Sequence, residues 1–524
     1  MISCLQGYTQ GTTNRDSLVA DFSYLVNTLE VTHPDPYSGF GGKVFFRKQA
    51  FDLTKDLQSK DYSLTEFTDK VSSFLANIQD GHTVLYQSKT SEPNKAGIFI
   101  LSTKAIPDGL IVNLVPSELN AFLGSRVVGV NGMPIDSLLQ ITSTMKGCEN
   151  KYGQYAELGK LLSHSDFIRK VFPNAKETIT IHVEMPDGTP KELPIPSIPK
   201  DKVQDYPKAQ LPTWDAVSTD SYMTYQFMDS QKEIMLFKLA NVMARENFET
   251  TINNNWPGAY DQMKGFYTWT LKKEMPADTA KALQGIPSYS ETFHQMLTEM
   301  KKQKSHSLII DLRGNGGGWT PITLPSLYQL FGDKYLETDM DTHFHRLISP
   351  LYLQKTNQTL EEFNEMNHSD FKIGDYDFYD IQKDTTTLET KRENFINNCM
   401  SDTKPDLKKQ KGKPVYSPEH IYVITNEWTF SAAFHYAFYL WRMGATIVGV
   451  PSSQAPNTFM EQTPFQLPYT HLKGSISNSI QIFLPGKDPR AKTFWPDMMP
   501  SYEDYKRFQF DRHSEIRYLL EKIK

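Results

Sequence analysis

The chain has 524 residues, 39% hydrophobic and 12% aromatic, which suits two to four packed domains and excludes a disordered protein. Its formal charge of −6 argues against nucleic acid or an anionic membrane surface as a partner. Three cysteines, Cys4, Cys148 and Cys399, lie far apart, with no zinc spacing and no disulfide framework, so no cofactor is expected. No window approaches ~18 consecutive apolar residues, so no transmembrane segment is expected either. The first residues lack the apolar run of a signal peptide. Cys4 would serve as a lipid anchor only if a signal had been removed before it.

Residues 15–80 read as helices. Leu18, Phe22, Leu25, Val26 and Leu29 share one face, and the turn His33-Pro34-Asp35-Pro36 ends that helix. A second helix covers residues 45–57. A third opens on the capping box Ser63-Leu64-Thr65-Glu66. It is expected to stop at Asp80-Gly81, with glycine as its C-terminal cap. His82 then begins a strand. A lone histidine is usually a hydrogen-bonded structural residue, yet this junction could present a general base to a cleft.

Residues 97–197 change character. Short strands are expected at 97–101, 110–115, 126–130 and 178–183, with a turn at Asn131-Gly132 and helices near 134–145 and 154–162. This β-rich module carries no catalytic constellation and reads as a binding or gating unit. After a connection at 199–219 and a strand at 233–239, residues 245–305 look mainly helical.

An apolar strand from Ser307 then runs into Gly314-Asn315-Gly316-Gly317-Gly318-Trp319. A P-loop would need a following lysine, and a dinucleotide loop would need glycine where Trp319 stands. What remains is close backbone approach, either to bind an anion, as in an oxyanion hole, or to make a tight structural turn. Residues 335–415 form a polar, irregular insertion. His343 and His345 would share one side of a strand, but no third metal ligand has useful spacing.

The stretch from His420 to Pro451 reads as a buried strand, a tight connection and a helix from Ala432. Ser431 sits at the join, where nearby N–H groups and the helix dipole could stabilise an oxyanion. Serine is equally a good N-cap. His435, one turn further, is an alternative base or simply packs on Tyr439. A strand at 446–450, a loop at 454–468, a strand at 479–484 and a short amphipathic helix from Ser514 complete the chain.

Three motifs occur in order: Asp80-Gly81-His82-Thr83; Ile310-Asp311-Leu312-Arg313-Gly314-Asn315-Gly316-Gly317-Gly318; and Thr429-Phe430-Ser431-Ala432-Ala433 followed by Ile447-Val448-Gly449. Together they resemble the S41 family of serine peptidases, which includes the C-terminal processing and tail-specific proteases and the tricorn core protease. Phe494-Trp495-Pro496-Asp497 is similar to the family's closing element. The resemblance implies an α/β (α+β multidomain) chain with a ClpP/crotonase-like βα catalytic core. Residues 1–95 would be a helical subdomain carrying His82, 96–200 a PDZ-like module, and 201–524 the catalytic domain with the insertion at 335–415.

The resemblance further implies Ser431 as nucleophile, with an oxyanion hole from the backbone of Gly316, Gly317 and Ala432. The first lysine after Ser431 is Lys473, too late for a serine–lysine dyad, so the tricorn-like histidine branch fits better, with His82 as base. Gly81 stands where tricorn has a second serine. The supporting glutamate has no clear counterpart, since Arg490 lies near its position; Asp80, Glu461 and Asp488 are the candidate orienting acids. The expected function is a serine endopeptidase acting on peptides or proteins. The alternatives are a non-catalytic ligand- or peptide-binding protein on the same fold and an esterase-like acyl hydrolase. The architecture suits an extracytoplasmic protein, periplasmic or in the cell envelope, whose signal precedes this numbering.

Overall fold

The computed structural model describes residues 14–87, 97–175, 177–218, 221–256, 258–378 and 386–523. Cys4, the candidate lipid anchor, lies outside them. Among the described residues, no helix is long and apolar enough to cross a membrane.

The central element is a five-stranded sheet. Its strands run in the order Met223–Phe227, Ile234–Leu239, Ser307–Asp311, His420–Thr425 and Thr446–Gly449. The first pair is antiparallel and the remaining pairs are parallel, with Ile234 opposite Ser307 and Ser307 opposite His420. Every residue of Ser307–Asp311 is buried, because helices cover both faces. Leu308 and Ile310 point to one side, among Phe293, Leu327, Phe434 and Phe438. Ile309 points to the other, with Ile424, Val448, Ile516 and Leu519. This two-sided burial is why the strand reads as an unbroken apolar run rather than as an alternation. The parallel strands end together at Asp311 and Thr425, and the loops leaving those ends carry the glycines and Ser431.

A second, antiparallel sheet is built on Lys473–Ile482, which pairs with Val84–Leu85, His343–Leu347 and Asn457–Gln466. Residues 454–468 were expected to be a loop, yet Asn457–Gln466 is a ten-residue strand. Its buried positions Thr458 and Thr463 are polar and lie on opposite faces of the strand, so no apolar alternation marks it for hydrophobic patterning. His343 and His345 do share a strand, their ring centroids 6.4 Å apart.

An eight-stranded sheet spans residues 98–210. Its strands include Gly109–Pro116, Arg126–Val130 and Thr178–Glu184, and its helices include Ile135–Ser143 and Lys151–Leu161. The strand Pro190–Ile198 was not anticipated, because it holds Pro190, Pro194 and Pro196. These prolines sit at alternate positions, which puts every missing N–H on one edge of the strand.

A buried ion network ties these parts together. Arg313 clamps Asp311 through Nε and Nη2 at 2.8 and 2.7 Å, and its Nη1 donates to Glu515 Oε2 at 2.5 Å. Glu515 also meets Lys104 Nζ at 2.7 Å, from the eight-stranded sheet. Burial alone would raise the Glu515 pKa, but Lys104 and Arg313 pull it down to about 2. A depressed carboxylate stabilises the fold above its ordinary pKa, and the contribution fades as pH falls through the folded value. The urea midpoint is therefore expected to fall between pH 4.5 and 2, with a contribution of about 3 kcal/mol from this group. Glu515→Gln should flatten that part of the midpoint-against-pH curve.

Candidate active site

The helix Leu64–Ala76 starts on the Ser63/Glu66 capping box. It ends earlier than expected, and Gln79, not Gly81, takes the left-handed turn at φ 59°. Gly81 has a different reason to be glycine. A Cβ there would lie 2.8 Å from Phe430 Cζ and 3.2 Å from Glu149 Oε1. The backbone before His82 is thus pressed between the serine loop and the loop preceding the helix Lys151–Leu161.

The His82 ring stacks on Phe430, the residue before Ser431, with centroids 4.7 Å apart. Asp80 folds back beneath it. Its Oδ1 accepts the His82 backbone N–H at 2.8 Å, and its Oδ2 accepts from Thr83 Oγ1 at 2.5 Å and lies 3.3 Å from His33 Nε2. Burial would raise the Asp80 pKa; bonding and charge from His33 and His82 instead hold it far below the usual carboxylate range. Burial also opposes protonation of His82, yet Asp80, then Glu149 and the Phe459 carbonyl, raise its pKa overall.

Ser431 adopts φ 52° and ψ −127°, a conformation that costs a non-glycine residue about 1–3 kcal/mol. Its side chain makes no capping bond to the helix Ala432–Arg442. An N-cap serine would have extended backbone and such a bond, so the cap reading does not describe this residue. A strained residue between strand and helix is instead the geometry of a nucleophile elbow. Gln454 Oε1 accepts the Ser431 N–H at 2.5 Å.

The glycine loop folds directly against this elbow. A Cβ on Gly317, at φ 103°, would lie 2.7 Å from Ser431 Cβ and 2.9 Å from Ala432 N. Asn315 organises the loop: its Nδ2 donates to Leu239 O at 2.8 Å, and its Oδ1 accepts the Gly317 N–H at 2.9 Å. The expected oxyanion role of Gly317 is thereby corrected, since that N–H is already engaged. Gly317 is glycine because the loop passes too close to Ser431 for a side chain. Among the described residues, no acceptor is bound to the amides of Gly316 or Ala432. A cavity of about 190 Å³ opens beside Gly316, lined also by Gly81, Glu149, Phe430 and Trp428.

Of the three candidate acids, Asp80 is the one beside His82. Glu461 pairs with Arg346 at 3.1 Å and accepts from Ser479 Oγ at 2.7 Å. Asp488 is clamped by Arg490. His435, the alternative base, has both ring nitrogens occupied, Nδ1 by Thr320 Oγ1 at 2.8 Å and Nε2 by Gln481 Oε1 at 2.6 Å. Burial pushes its pKa down to about 4. It is a neutral, packed histidine with its ring against Phe483 at 5.3 Å.

Sequence reasoning missed His33, Glu149 and Gln454. His33 lies in a turn that looked like a simple helix end, and Gln454 at the start of an expected loop. Glu149 belongs to a module that carries no catalytic pattern of its own. Each reaches the site only through tertiary packing.

Residues 281–478 match the family model Peptidase family S41. Two of the three motifs, the glycine loop and the Ser431 stretch, fall inside the matched segment, whereas Asp80-Gly81-His82-Thr83 lies outside it. No curated protein matches the chain. Among solved structures, mature CPAF complexed with lactacystin is similar, with a TM-score of 0.54, 14% identity, and 97% of this chain and 99% of that chain covered. A crystal structure of mature CPAF has a TM-score of 0.52 at 14% identity, with 97% and 98% covered. At this identity the likeness establishes a shared α/β fold over nearly the whole of both chains.

Proposed function

We propose that this chain is a serine endopeptidase in which Ser431 is the nucleophile and His82 the general base, as in the tricorn-like branch. The observation that carries the reading is the strained backbone of Ser431 with the His82 ring stacked on its neighbour Phe430. His82 takes the Ser431 hydroxyl proton as Oγ attacks the peptide carbonyl. The amides of Gly316 and Ala432 stabilise the tetrahedral oxyanion. The imidazolium then gives its proton to the leaving amine, and water releases the acyl group by the same route. Asp80 orients His82 from below. The module at 96–200, in the place of a PDZ-like domain, delivers peptide or protein substrate to the cleft beside Gly316. An extracytoplasmic setting, periplasmic or in the cell envelope, is part of this reading.

Labelling with a fluorophosphonate probe, followed by peptide mapping, tests this assignment. The adduct is expected on Ser431, with labelling lost in His82→Ala and retained in His435→Asn. Absence of an adduct on a folded parent protein would overturn the reading in favour of a ligand-binding protein on the same fold.

A further inference from the structure

The helix Lys151–Leu161 begins on Asn150, whose side chain accepts the Tyr152 and Gly153 amides. The residue before that cap, Glu149, is buried, with 9% of its surface exposed. Its Oε2 accepts the Ala455 N–H at 2.8 Å, and its Oε1 accepts the Gly81 N–H at 3.4 Å. One carboxylate therefore bridges two loops. Gly81 precedes His82, and Ala455 follows Gln454, which holds the Ser431 amide. Asn150 Nδ2 reinforces the bridge by donating to Ser452 O at 3.0 Å. Gly147 lets the loop seat, since a Cβ there would lie 2.5 Å from Asp80 O.

His82 Nδ1 is buried and has no hydrogen-bond partner among the described residues. It points between two carboxylates, 3.7 Å from Asp80 Oδ1 and 3.9 Å from Glu149 Oε1. The Asp80 oxygens are already committed to the His82 amide, Thr83 and His33. The Glu149 carboxylate takes a bond from Thr458, and its Oε1 holds the long bond to Gly81; a carboxylate oxygen accepts two bonds, so Oε1 can take an Nδ1–H alongside Asp80. A shift of about 1 Å would make that bond.

We infer that Glu149 is a positioning residue for His82, delivered to the catalytic base by the inserted module. The inference rests on the assignment of His82 as base. Once the His82 ring has taken the Ser431 proton, Nδ1–H bonds to Glu149 Oε1, and the carboxylate stabilises the imidazolium without accepting a proton itself. Undocking the module would remove the acid and release the loop behind Gln454, so the base is complete only when the module is seated. The charged and titratable groups around this pair are Asp80 and, behind it, His33; His435 on the side of the serine helix; and Cys148 next to Glu149.

The test is an imidazole NMR titration in the full chain carrying Ser431→Ala, with the His82 signal assigned by its loss in His82→Gln. Adding Glu149→Gln is expected to lower the His82 midpoint by about one pH unit, a tenfold loss of proton affinity. Glu149→Asp, which keeps the charge, should restore part of the shift. In the protein retaining Ser431, Glu149→Gln should lower kcat about 10- to 100-fold with KM little changed. An unchanged His82 midpoint in Glu149→Gln, or in Glu149→Met if the glutamine variant does not fold, overturns the inference. The titration needs no activity, so its failure is distinct from failure of the serine assignment, which the adduct mapping reads.

Discussion

Replacing Ser431 by alanine is expected to abolish fluorophosphonate labelling and to reduce peptide hydrolysis by about 10⁴- to 10⁶-fold. The hydroxyl is the group that would form the acyl bond, and alanine has none. Alanine keeps the backbone at φ 52° and ψ −127°, so the fold should keep its strain as well as its stability. Glycine at the same position separates the two roles. Ser431→Gly should be equally inactive yet more stable, by about 1 kcal/mol, because glycine adopts this conformation without the steric cost. Urea unfolding of the two variants side by side reads the difference. If glycine gives no gain, the strain assigned to the elbow is wrong; if alanine keeps its activity, another residue is the nucleophile.

Arg313→Met should have the largest effect on stability. Arg313 neutralises Asp311 and Glu515 at once, both buried beneath the glycine loop. Removing the guanidinium leaves the buried Asp311 carboxylate without its partner and Glu515 with Lys104 alone, at a cost of about 3–5 kcal/mol. Lysine should rescue poorly, since one ammonium cannot reproduce the bidentate fork. The same change should also weaken labelling at Ser431. Asp311 ends the strand that aims Gly314–Gly318, and Gly314 N–H is itself held by Asn426 Oδ1 at 2.9 Å. An unfolding midpoint within error of the parent's would mean that the network is solvated and carries little.

How much of this was legible in advance follows from how local each signal is. The helix after Ser63 was written in a capping box and a 3.6-residue apolar period, and the central strands in short, unbroken apolar runs. These depend on neighbours in sequence, and the helix start and four of the five central strands appear as read; the edge strand Met223–Phe227 was not anticipated. The strands Pro190–Ile198 and Asn457–Gln466 were obscured because proline and buried threonine break the hydrophobic code without breaking the pairing. Gly81 was read as a helix cap because glycine serves that purpose often. Its real constraint is the approach of Phe430, some 350 residues away along the chain.

The sequence by itself determined the chemistry offered: a serine between strand and helix, a glycine loop that fits neither phosphate motif, and a histidine beside an acid. These are residue types and spacings, and they follow from the chain alone. Only the tertiary structure decided which groups meet. It put Phe430 under His82, occupied both nitrogens of His435, and spent the Gly317 amide on Asn315. It also carried Glu149 from the module to the base loop. The reason is physical: a pKa, a strained φ or a free amide is set by burial and by partners within a few ångströms, and those partners come from segments that share no local pattern.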